Sequence, residues 1–322
     1  MKLRQRRSAL IIVPLVAPVV ALAACGGNSS SSAPSASSAS SSSSAPAATA
    51  SSPTGVGVKG AFGQKPTLEI PAKTAPTALS ADVLTEGTGA VAAKGDLIVV
   101  NYLGQTWQPK DGKPNVFDNS FDKKEAFSFP LGGGQVIPGW DQGLEGKKAG
   151  SRVLLTIPPK LAYGEDKNGG NGLGGQTLVF VVDVVGTYGK DLASSGEAVT
   201  PTTAGLPKVT SEPGKKPTIT SVAGVKVPAQ PVSALLVKGD GDKIDPAKKL
   251  VLQLVITDTA TGKQSQETWG KSVSAEAGQA VLGVATALKD ANVGSRAVVV
   301  TPENKAQGQA SSVLVVDVVG QF

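Results

Sequence analysis

The chain has 322 residues, a formal net charge of +6, one cysteine and no histidine. The lack of histidine excludes Ser-His-Asp and Cys-His nucleophile arrangements, histidine zinc ligands and a histidine general base. The single cysteine excludes an internal disulfide. Four of the 31 basic residues lie within the first 25 positions, which leaves 27 basic against 25 acidic residues in the rest. This near-neutral balance argues against nucleic acid as a partner, and we predict no cofactor and no metal.

Residues 1–25 have the pattern of a signal peptide. Basic residues at positions 2–7 precede an apolar run over 9–22 that is short for a membrane span. The run ends in Leu22, Ala23, Ala24 and Cys25, which resembles the lipobox where bacterial lipoproteins are diacylated on cysteine and cleaved. We therefore predict lipidation of Cys25 and a location on the extracytoplasmic face of the cell membrane. An ordinary secretory signal with an incidental cysteine is the alternative.

A tether is predicted next, over residues 26–61. As far as about residue 54, this stretch consists almost entirely of Ser, Ala and Pro, with no large apolar side chains to bury. Burial therefore cannot offset the entropy lost on ordering, and the tether is expected to be disordered. It would hold a folded body away from the membrane.

Four short motifs occur twice in the same order. Residues 65–68 return in similar form at 216–219, and residues 84–89 return at 236–241. Residues 149–152 return at 293–296, and residues 181–186 return unchanged at 315–320. An internal duplication explains this order. We therefore predict two domains, residues 62–188 and 213–322, joined by a linker over 189–212.

Most predicted elements of the first domain are strands. Apolar or alternating residues favour strands over 97–103, 127–131, 153–157 and 177–185, with turns between them. One helix is predicted after Pro138, because its missing N–H has no helical partner at a first helical position. Ile137, Trp140 and Leu144 share the apolar face of that helix. We expect an α+β fold in which an antiparallel sheet is covered by one short helix.

Six motifs of the first domain comprise residues 99–104, 117–120, 127–132, 136–140, 162–164 and 177–180. In their order and spacing they resemble an FKBP-type peptidyl-prolyl cis-trans isomerase over roughly residues 80–188. The resemblance implies an FKBP-like antiparallel sheet of five or six strands wrapped around the short helix, and we predict this fold twice. It also implies binding of proline-containing polypeptides and of macrolide inhibitors.

The resemblance further implies an apolar pocket for the proline ring of a substrate. Trp140 would form the floor, and Asp118 and Tyr163 would form a polar rim. The walls would be Tyr102, Phe117, Phe127, Val136, Ile137 and Phe180. From the residues alone, Trp140 and the phenylalanines could equally be core, Asp118 a turn former and Tyr163 a loop anchor. Phe129, two residues after Phe127, is predicted to be core.

Three features depart from the family's pattern. Residues 165–176, which in the family carry apolar residues over the pocket, are mostly polar or glycine here, and only Leu173 could serve as an apolar lip. Gln135 and Lys123 stand where the family often has an acidic residue and an arginine. These changes bear on specificity more than on activity, and we expect a mobile rim.

The second domain is predicted to have lost the pocket. Aligning the copies places Leu254 opposite Tyr102, Glu267 opposite Phe117, Val284 opposite Trp140, Gln307 opposite Tyr163 and Leu314 opposite Phe180. The glycine and arginine of the scaffold motif persist while the aromatic residues do not. We expect a degenerate FKBP-like domain without catalytic activity, and an unrelated β-domain is the alternative.

The predicted function is peptidyl-prolyl cis-trans isomerisation of exported proteins by a lipid-anchored enzyme. An apolar pocket suits this reaction because rotating an X–Pro bond needs no acid or base, only preferential binding of the twisted amide. A non-catalytic FKBP-like binding or chaperone lipoprotein is the main alternative. A lipoprotein that binds small molecules is a third.

Overall fold

The computed structural model describes residues 50–169, 172–271, 273–305 and 308–322. The predicted signal peptide, Cys25, most of the predicted tether and Gln307 lie outside these ranges. Three short strands begin the described chain: β1 (Ala50–Ser51), β2 (Gly57–Lys59) and β3 (Thr67–Glu69). They form a small antiparallel sheet in the order β1–β2–β3.

A six-stranded antiparallel sheet follows. Its strands are β4 (Ser80–Thr85), β5 (Leu97–Thr106), β6 (Val116–Asn119), β7 (Phe127–Pro130), β8 (Arg152–Ile157) and β9 (Leu178–Tyr188). They lie in the order β4–β8–β9–β5–β6, and β7 also pairs with β5. The two long strands, β5 and β9, pair from Leu97 opposite Tyr188 to Thr106 opposite Leu178. Both are rich in buried apolar residues, so the sheet needs cover on both faces.

One face of this sheet is covered by the helix α1 (Pro138–Leu144). The helix begins at Pro138 as predicted, and no side chain caps its N-terminus. Gly143 lets it approach the sheet closely, since a Cβ at that position would lie 2.7 Å from Leu155 Cδ2. Trp140 and Leu144 are buried against the sheet. This sheet with one short helix agrees with the predicted α+β fold.

The opposite face is covered by the β2–β3 hairpin. Val56, Val58 and Leu68 are buried in one apolar cluster with Leu103 and Trp107 of the sheet and its following loop. The prediction that a disordered tether extends to residue 61 is therefore wrong at its C-terminal end. The composition was misleading because only two apolar side chains in a Gly- and Ser-rich stretch make the contact.

A second group of strands follows, and one short helix, α2 (Gly278–Val284), lies against them. The strands are β10 (Glu197–Ala198), β11 (Lys208–Thr210), β12 (Thr218–Ser221), β13 (Val232–Lys238), β14 (Lys249–Asp258), β15 (Gln264–Glu267), β16 (Ser274–Ala277), β17 (Arg296–Val300) and β18 (Ser312–Gln321). β11 and β12 form a hairpin, and the others form a sheet in the order β10–β13–β17–β18–β14–β15, with β16 paired to β14. Without β10, this is the strand order of the first large sheet.

The predicted linker over 189–212 contains ordered structure. β10 pairs with β13, with Glu197 opposite Lys238, and β11 pairs with β12. The backbone N–H of Ser194 donates a 2.7 Å hydrogen bond to the buried Asp317 carboxylate. The second folded region therefore begins before residue 213, and the predicted boundary is wrong. Backbone pairing of this kind leaves no apolar pattern in a sequence rich in Ser, Thr and Pro.

The two large sheets contact each other directly. Leu97 and Tyr188 of the first sheet pack with Val251, Val273 and Phe322 of the second region. Two polar contacts reinforce this interface: the Gln253 side chain donates to the Lys190 carbonyl at 2.7 Å, and Lys249 pairs with Glu125 at 2.6 Å.

Candidate active site

Aromatic rings from four strands and the helix converge on Trp140. The ring centroids of Tyr102 and Phe180 lie 5.1 and 5.2 Å from that of Trp140, both nearly perpendicular to it. Phe127 lies 6.2 Å from Trp140, and Phe117 packs edge-on against Phe180 at 5.6 Å. These edge-to-face distances are the ones that aromatic pairs prefer. The rings thereby form a rigid apolar surface.

This surface lines an open cavity of about 550 Å³. The structure brings together all of the predicted site residues at its walls, floor and rim: Tyr102, Phe117, Asp118, Phe127, Val136, Ile137, Trp140, Tyr163 and Phe180. Gln135, Pro138 and Ala162 complete the lining. Phe129 lies in the core beneath Phe127, as expected from its spacing. Leu173 packs against that core and is not among the lining residues.

The floor of the cavity is buried and its rim is exposed. Trp140 and Phe180 are each 4% exposed, whereas Phe127 and Tyr163 are 41% and 44% exposed. The indole N–H of Trp140 is buried and bonds to no acceptor among the described residues. A ligand entering the cavity therefore meets aromatic walls first and a fixed indole ring at the bottom.

The polar rim is organised by Asp118. Its carboxylate accepts a 2.5 Å hydrogen bond from the Tyr102 hydroxyl and a 2.6 Å bond from Lys123 Nζ. Burial alone would raise the pKa of Asp118, but the bonds from Lys123 and Tyr102 outweigh it and hold that pKa below its ordinary value. Burial, with a further contribution from Asp118, raises the pKa of Tyr102 well above its usual range. Both groups therefore keep one protonation state at neutral pH.

Two positioning residues went unassigned in the sequence. Gly104 lies on β5 between the rings, where a Cβ would come within 2.6 Å of Phe180 and 2.8 Å of Phe117. Asp141 of α1 accepts hydrogen bonds from the backbone N–H groups of Gly132 and Gly134, at 2.8 and 3.1 Å. That contact holds the loop leading to Gln135. An acidic residue in the first turn of a predicted helix was the available signal for the role of Asp141. The spacing of apolar residues predicts neither the role of Gly104 nor that of Asp141.

Comparison with known proteins places this pocket in a family. Residues 89–185 match the sequence model of the FKBP-type peptidyl-prolyl cis-trans isomerases. The FK506-binding protein of Streptomyces anulatus is 40% identical over 123 residues, which are 38% of this chain and 96% of that protein. The chain belongs to the FKBP-type peptidyl-prolyl cis-trans isomerase family. The matched region contains every pocket residue from Tyr102 to Phe180, and the predicted enzyme class is confirmed.

Two further similarities concern the same family. The probable FK506-binding protein of Corynebacterium glutamicum is 38% identical over 122 residues, which are 38% of this chain and 98% of that protein. Among solved structures, FkpA from Escherichia coli is 42% identical, with 36% of this chain and 51% of that chain covered and a TM-score of 0.30.

The FKBP-type pocket offers shape and an apolar surface in place of acid–base chemistry. The sequence contains no histidine, and the two titratable groups that bond to each other at the rim, Tyr102 and Asp118, have pKa values displaced away from neutrality. Within the described ranges, no group of three or more Cys, Asp or Glu side chains is placed to hold a metal ion. The pocket can therefore act by excluding water and by gripping one conformation of a bound ring.

The pH dependence of the isomerase should be flat across neutrality. We expect kcat/KM to stay constant between about pH 5 and about pH 8 and to fall only under more acidic conditions. The sign follows from Asp118: its lowered pKa stabilises the folded pocket above the ordinary carboxyl pKa, and this contribution is lost as the pH falls through the lowered value. An isomerisation assay across this range is the test. A bell-shaped profile centred near neutrality would contradict it.

Enlarging Gly104 should distort the pocket. Gly104→Ala is expected to lower kcat/KM about 3- to 10-fold, because the new methyl group pushes the Phe180 and Phe117 rings into the cavity. Overpacking should also lower the free energy of unfolding by about 1–3 kcal/mol. Gly283→Ala on α2 is the matched control, since a Cβ there meets nothing within 4 Å. Equal kcat/KM values for the two variants would refute the role of Gly104.

Proposed function

We propose that the FKBP-type domain catalyses rotation about X–Pro bonds in exported polypeptides by binding the twisted amide without forming a covalent bond. The observation that carries this proposal is the cavity of about 550 Å³ with an aromatic floor and walls and a two-residue polar rim. A proline ring is compact and apolar, so it can enter this cavity and contact the aromatic floor while the flanking chain remains in solvent.

The mechanism lowers a barrier that comes from amide resonance. The C–N bond resists rotation with a barrier of about 18–20 kcal/mol, and resonance is lost as the bond twists. Trp140 and the wall residues replace water around the substrate, which disfavours the polar planar amide relative to the twisted one. Asp118 holds Tyr102 in place, and the exposed Tyr163 hydroxyl can donate to a substrate carbonyl at the rim.

An isomerisation assay with the full-length chain tests this function. A chromogenic peptide with a single X–Pro bond should relax faster when the chain is added, and the rate should rise in proportion to enzyme concentration. The Streptomyces relative is named for FK506 binding. We expect that macrolide to compete for the same pocket and abolish the acceleration. A folded chain that leaves the relaxation rate unchanged would overturn the proposal.

The second region is proposed to be a degenerate FKBP-like domain without isomerase activity. Its strand order supports this, as does a repeated hydrogen bond: Gly87 donates to Ser151 Oγ, and Gly239 donates to Ser295 Oγ, each at 2.8 Å. The positions equivalent to the aromatic lining carry aliphatic side chains: Leu254, Val284 and Leu314. Such side chains pack into the core of this region and give no ring surface for proline.

We further propose that Cys25 carries a lipid that anchors the protein to the extracytoplasmic face of the cell membrane. The lipobox-like motif at residues 22–25 supports this location. Among the described residues, no helix is long and apolar enough to cross a membrane. Expression of Cys25→Ser in a lipoprotein-processing bacterium should shift the chain from the membrane fraction to the soluble fraction. An unchanged distribution would refute the anchor while leaving the isomerase proposal intact.

A further inference from the structure

A second cavity lies on the opposite side of β5 from the aromatic pocket. It measures about 1110 Å³, is open on one side, and is lined by residues 68–75 at and after the end of β3, by the end of β5 and by residues 175–177. Leu68, Ile70, Pro114 and Trp107 provide apolar walls. Side chains alternate along a strand, so Leu103, Gln105 and Trp107 face this side while Tyr102 and Gly104 face the isomerase pocket. The two cavities therefore have no wall residue in common.

The walls of the second cavity are held in place by specific hydrogen bonds. The Trp107 indole N–H donates to the Lys73 carbonyl at 2.9 Å, and its backbone N–H donates to the Thr177 carbonyl at 2.8 Å. Trp107 is only 3% exposed, so it is a fixed part of the wall. These hydrogen bonds attach the segment after β3 to the end of β5, so the cavity wall is a defined part of the fold.

Charge excludes several ligand classes from this cavity. Glu69 pairs with Lys59 on the neighbouring strand β2. The Lys73 ammonium group lies over Gly55, where an added Cβ would be 3.1 Å from it. Glu69 is therefore already paired, and Lys73, which forms no ion pair among the described residues, is the single cation in the lining. The remaining lining is apolar or carries uncharged amide and hydroxyl groups, which suits neither a phosphate, nor a carboxylate, nor a metal ion.

Gln105 supplies the polar group that points to a ligand. Its side chain is 5% exposed, lines the cavity, and makes no hydrogen bond with any described residue. Its amide nitrogen and oxygen are not among the buried unpaired atoms, so they are open to the cavity, where a carboxamide offers one acceptor and two donors to an occupant. A peptide group has the matching donor and acceptor. The nearby strand β3 also has a free edge, since it pairs only with β2 in the described chain.

We propose that this cavity binds an uncharged, extended polypeptide segment. The segment adds to the free edge of β3, places an apolar side chain against Trp107 and Leu68, and pairs a backbone amide with Gln105. This site holds a polypeptide independently of proline and is distinct from the isomerase pocket.

Fluorescence anisotropy of a fluorescein-labelled, proline-free heptapeptide, SVQLTVS, tests the proposal with the full-length chain in detergent. We expect saturable binding to the unaltered chain. Gln105→Met keeps the side-chain volume but removes the amide, and Ala72→Trp plugs the cavity from its exposed wall. Each should raise the Kd at least about tenfold, as expected for the loss of two hydrogen bonds or of the cavity itself. Isomerase activity should be unchanged in both variants.

Two control variants show where on the protein the labelled peptide binds. Ala78→Trp places the same side chain on the same segment outside the cavity lining, and Trp140→Leu alters only the isomerase pocket. Both should bind the peptide like the unaltered chain. The proposal is overturned if the unaltered chain does not bind, if Gln105→Met and Ala72→Trp bind normally, or if Trp140→Leu abolishes binding. Binding that emerges only after deletion of residues 26–49 would also overturn it, by assigning the cavity to the chain's own N-terminal segment.

Discussion

Replacing Trp140 with alanine is expected to lower kcat/KM for X–Pro isomerisation by about 10- to 100-fold. The indole is 4% exposed at the floor of the pocket, and Tyr102 and Phe180 are both packed edge-on against it. Burying a large apolar side chain against a ligand is worth about 1.5–3 kcal/mol, and each 1.4 kcal/mol of lost transition-state binding is a factor of about ten in rate. A protease-free isomerisation assay measures the loss directly.

The same substitution also tests folding, so controls must separate the two effects. Loss of a buried tryptophan costs about 3–5 kcal/mol, and circular dichroism must show that the variant is folded at the assay temperature. Trp140→Leu keeps more of the core filled while removing the ring. Trp269→Ala removes the tryptophan of the second region and should leave the rate unchanged, because that region lacks the aromatic lining. A folded Trp140→Ala variant with full activity would refute the assignment of Trp140 as the floor of the pocket.

The bonding of Trp140 argues for a role beyond core packing. Its indole N–H is buried without an acceptor among the described residues, and an unpaired buried donor costs about 1–3 kcal/mol. Phenylalanine would supply an apolar aromatic ring there without that donor. In α2, the corresponding helix carries Val284, so the helix forms without an indole. The ring surface is therefore better explained by what it offers to a ligand than by what it contributes to stability.

The pocket was predictable from the sequence because its lining is spread over motifs that keep their order and spacing. Tyr102 and Phe180 each lie on a strand whose pattern is visible in the sequence, and Pro138 marks the start of the helix. Their convergence then follows from the fold that those motifs share with a known family. The placement of Asp118 at the rim followed in the same way.

The parts that the sequence did not predict depend on contacts between distant segments. Val56 and Val58 become buried only because the hairpin that carries them folds back onto the sheet. The second cavity likewise requires the segment after β3 to meet the end of β5. Gly104 gains its role from two rings that reach it from β6 and β9. Such contacts between distant segments leave no mark on the hydrophobic periodicity of either segment. The sequence pattern of each element would be the same if its partner lay elsewhere in the fold.

Replacing Arg152 with methionine is expected to lower the free energy of unfolding by about 3–5 kcal/mol. The Arg152 and Asp183 side chains are essentially inaccessible to solvent and form two hydrogen bonds, at 2.6 and 2.8 Å. The same guanidinium group donates to the carbonyls of Gly60 and Gln64, and Asp183 accepts from the Gly63 N–H. The substitution therefore leaves a buried carboxylate uncompensated and releases the β2–β3 hairpin. Chemical denaturation measures the first effect, and limited proteolysis near residue 60 detects the second.

An exposed ion pair and a double variant provide the controls for Arg152. Lys148→Met removes a pair with Glu86 whose side chains are 43% and 59% exposed, and it should cost no more than about 1 kcal/mol. Adding Asp183→Leu to Arg152→Met removes the stranded carboxylate and should restore part of the lost stability, although the backbone carbonyls of Gly60 and Gln64 stay unpaired. If the double variant were no more stable than Arg152→Met, the loss would come from the released hairpin and not from the buried charge.

The second region contains a buried Arg–Asp pair that matches Arg152 and Asp183. The equivalent substitution there therefore tests whether the second region has the same fold. Arg296 bonds to Asp317 at 2.6 and 2.7 Å and reaches the carbonyls of Glu212 and Lys215 before β12, as Arg152 reaches Gly60 and Gln64 before β3. Arg296→Met should therefore cost a similar 3–5 kcal/mol while leaving the isomerase pocket intact. Because the interface between the sheets joins the two regions, unfolding of the second should also destabilise the first. If isomerase activity is lost at the same denaturant concentration at which the second region unfolds, the two regions are coupled. Activity that persists at higher denaturant concentrations would refute the coupling.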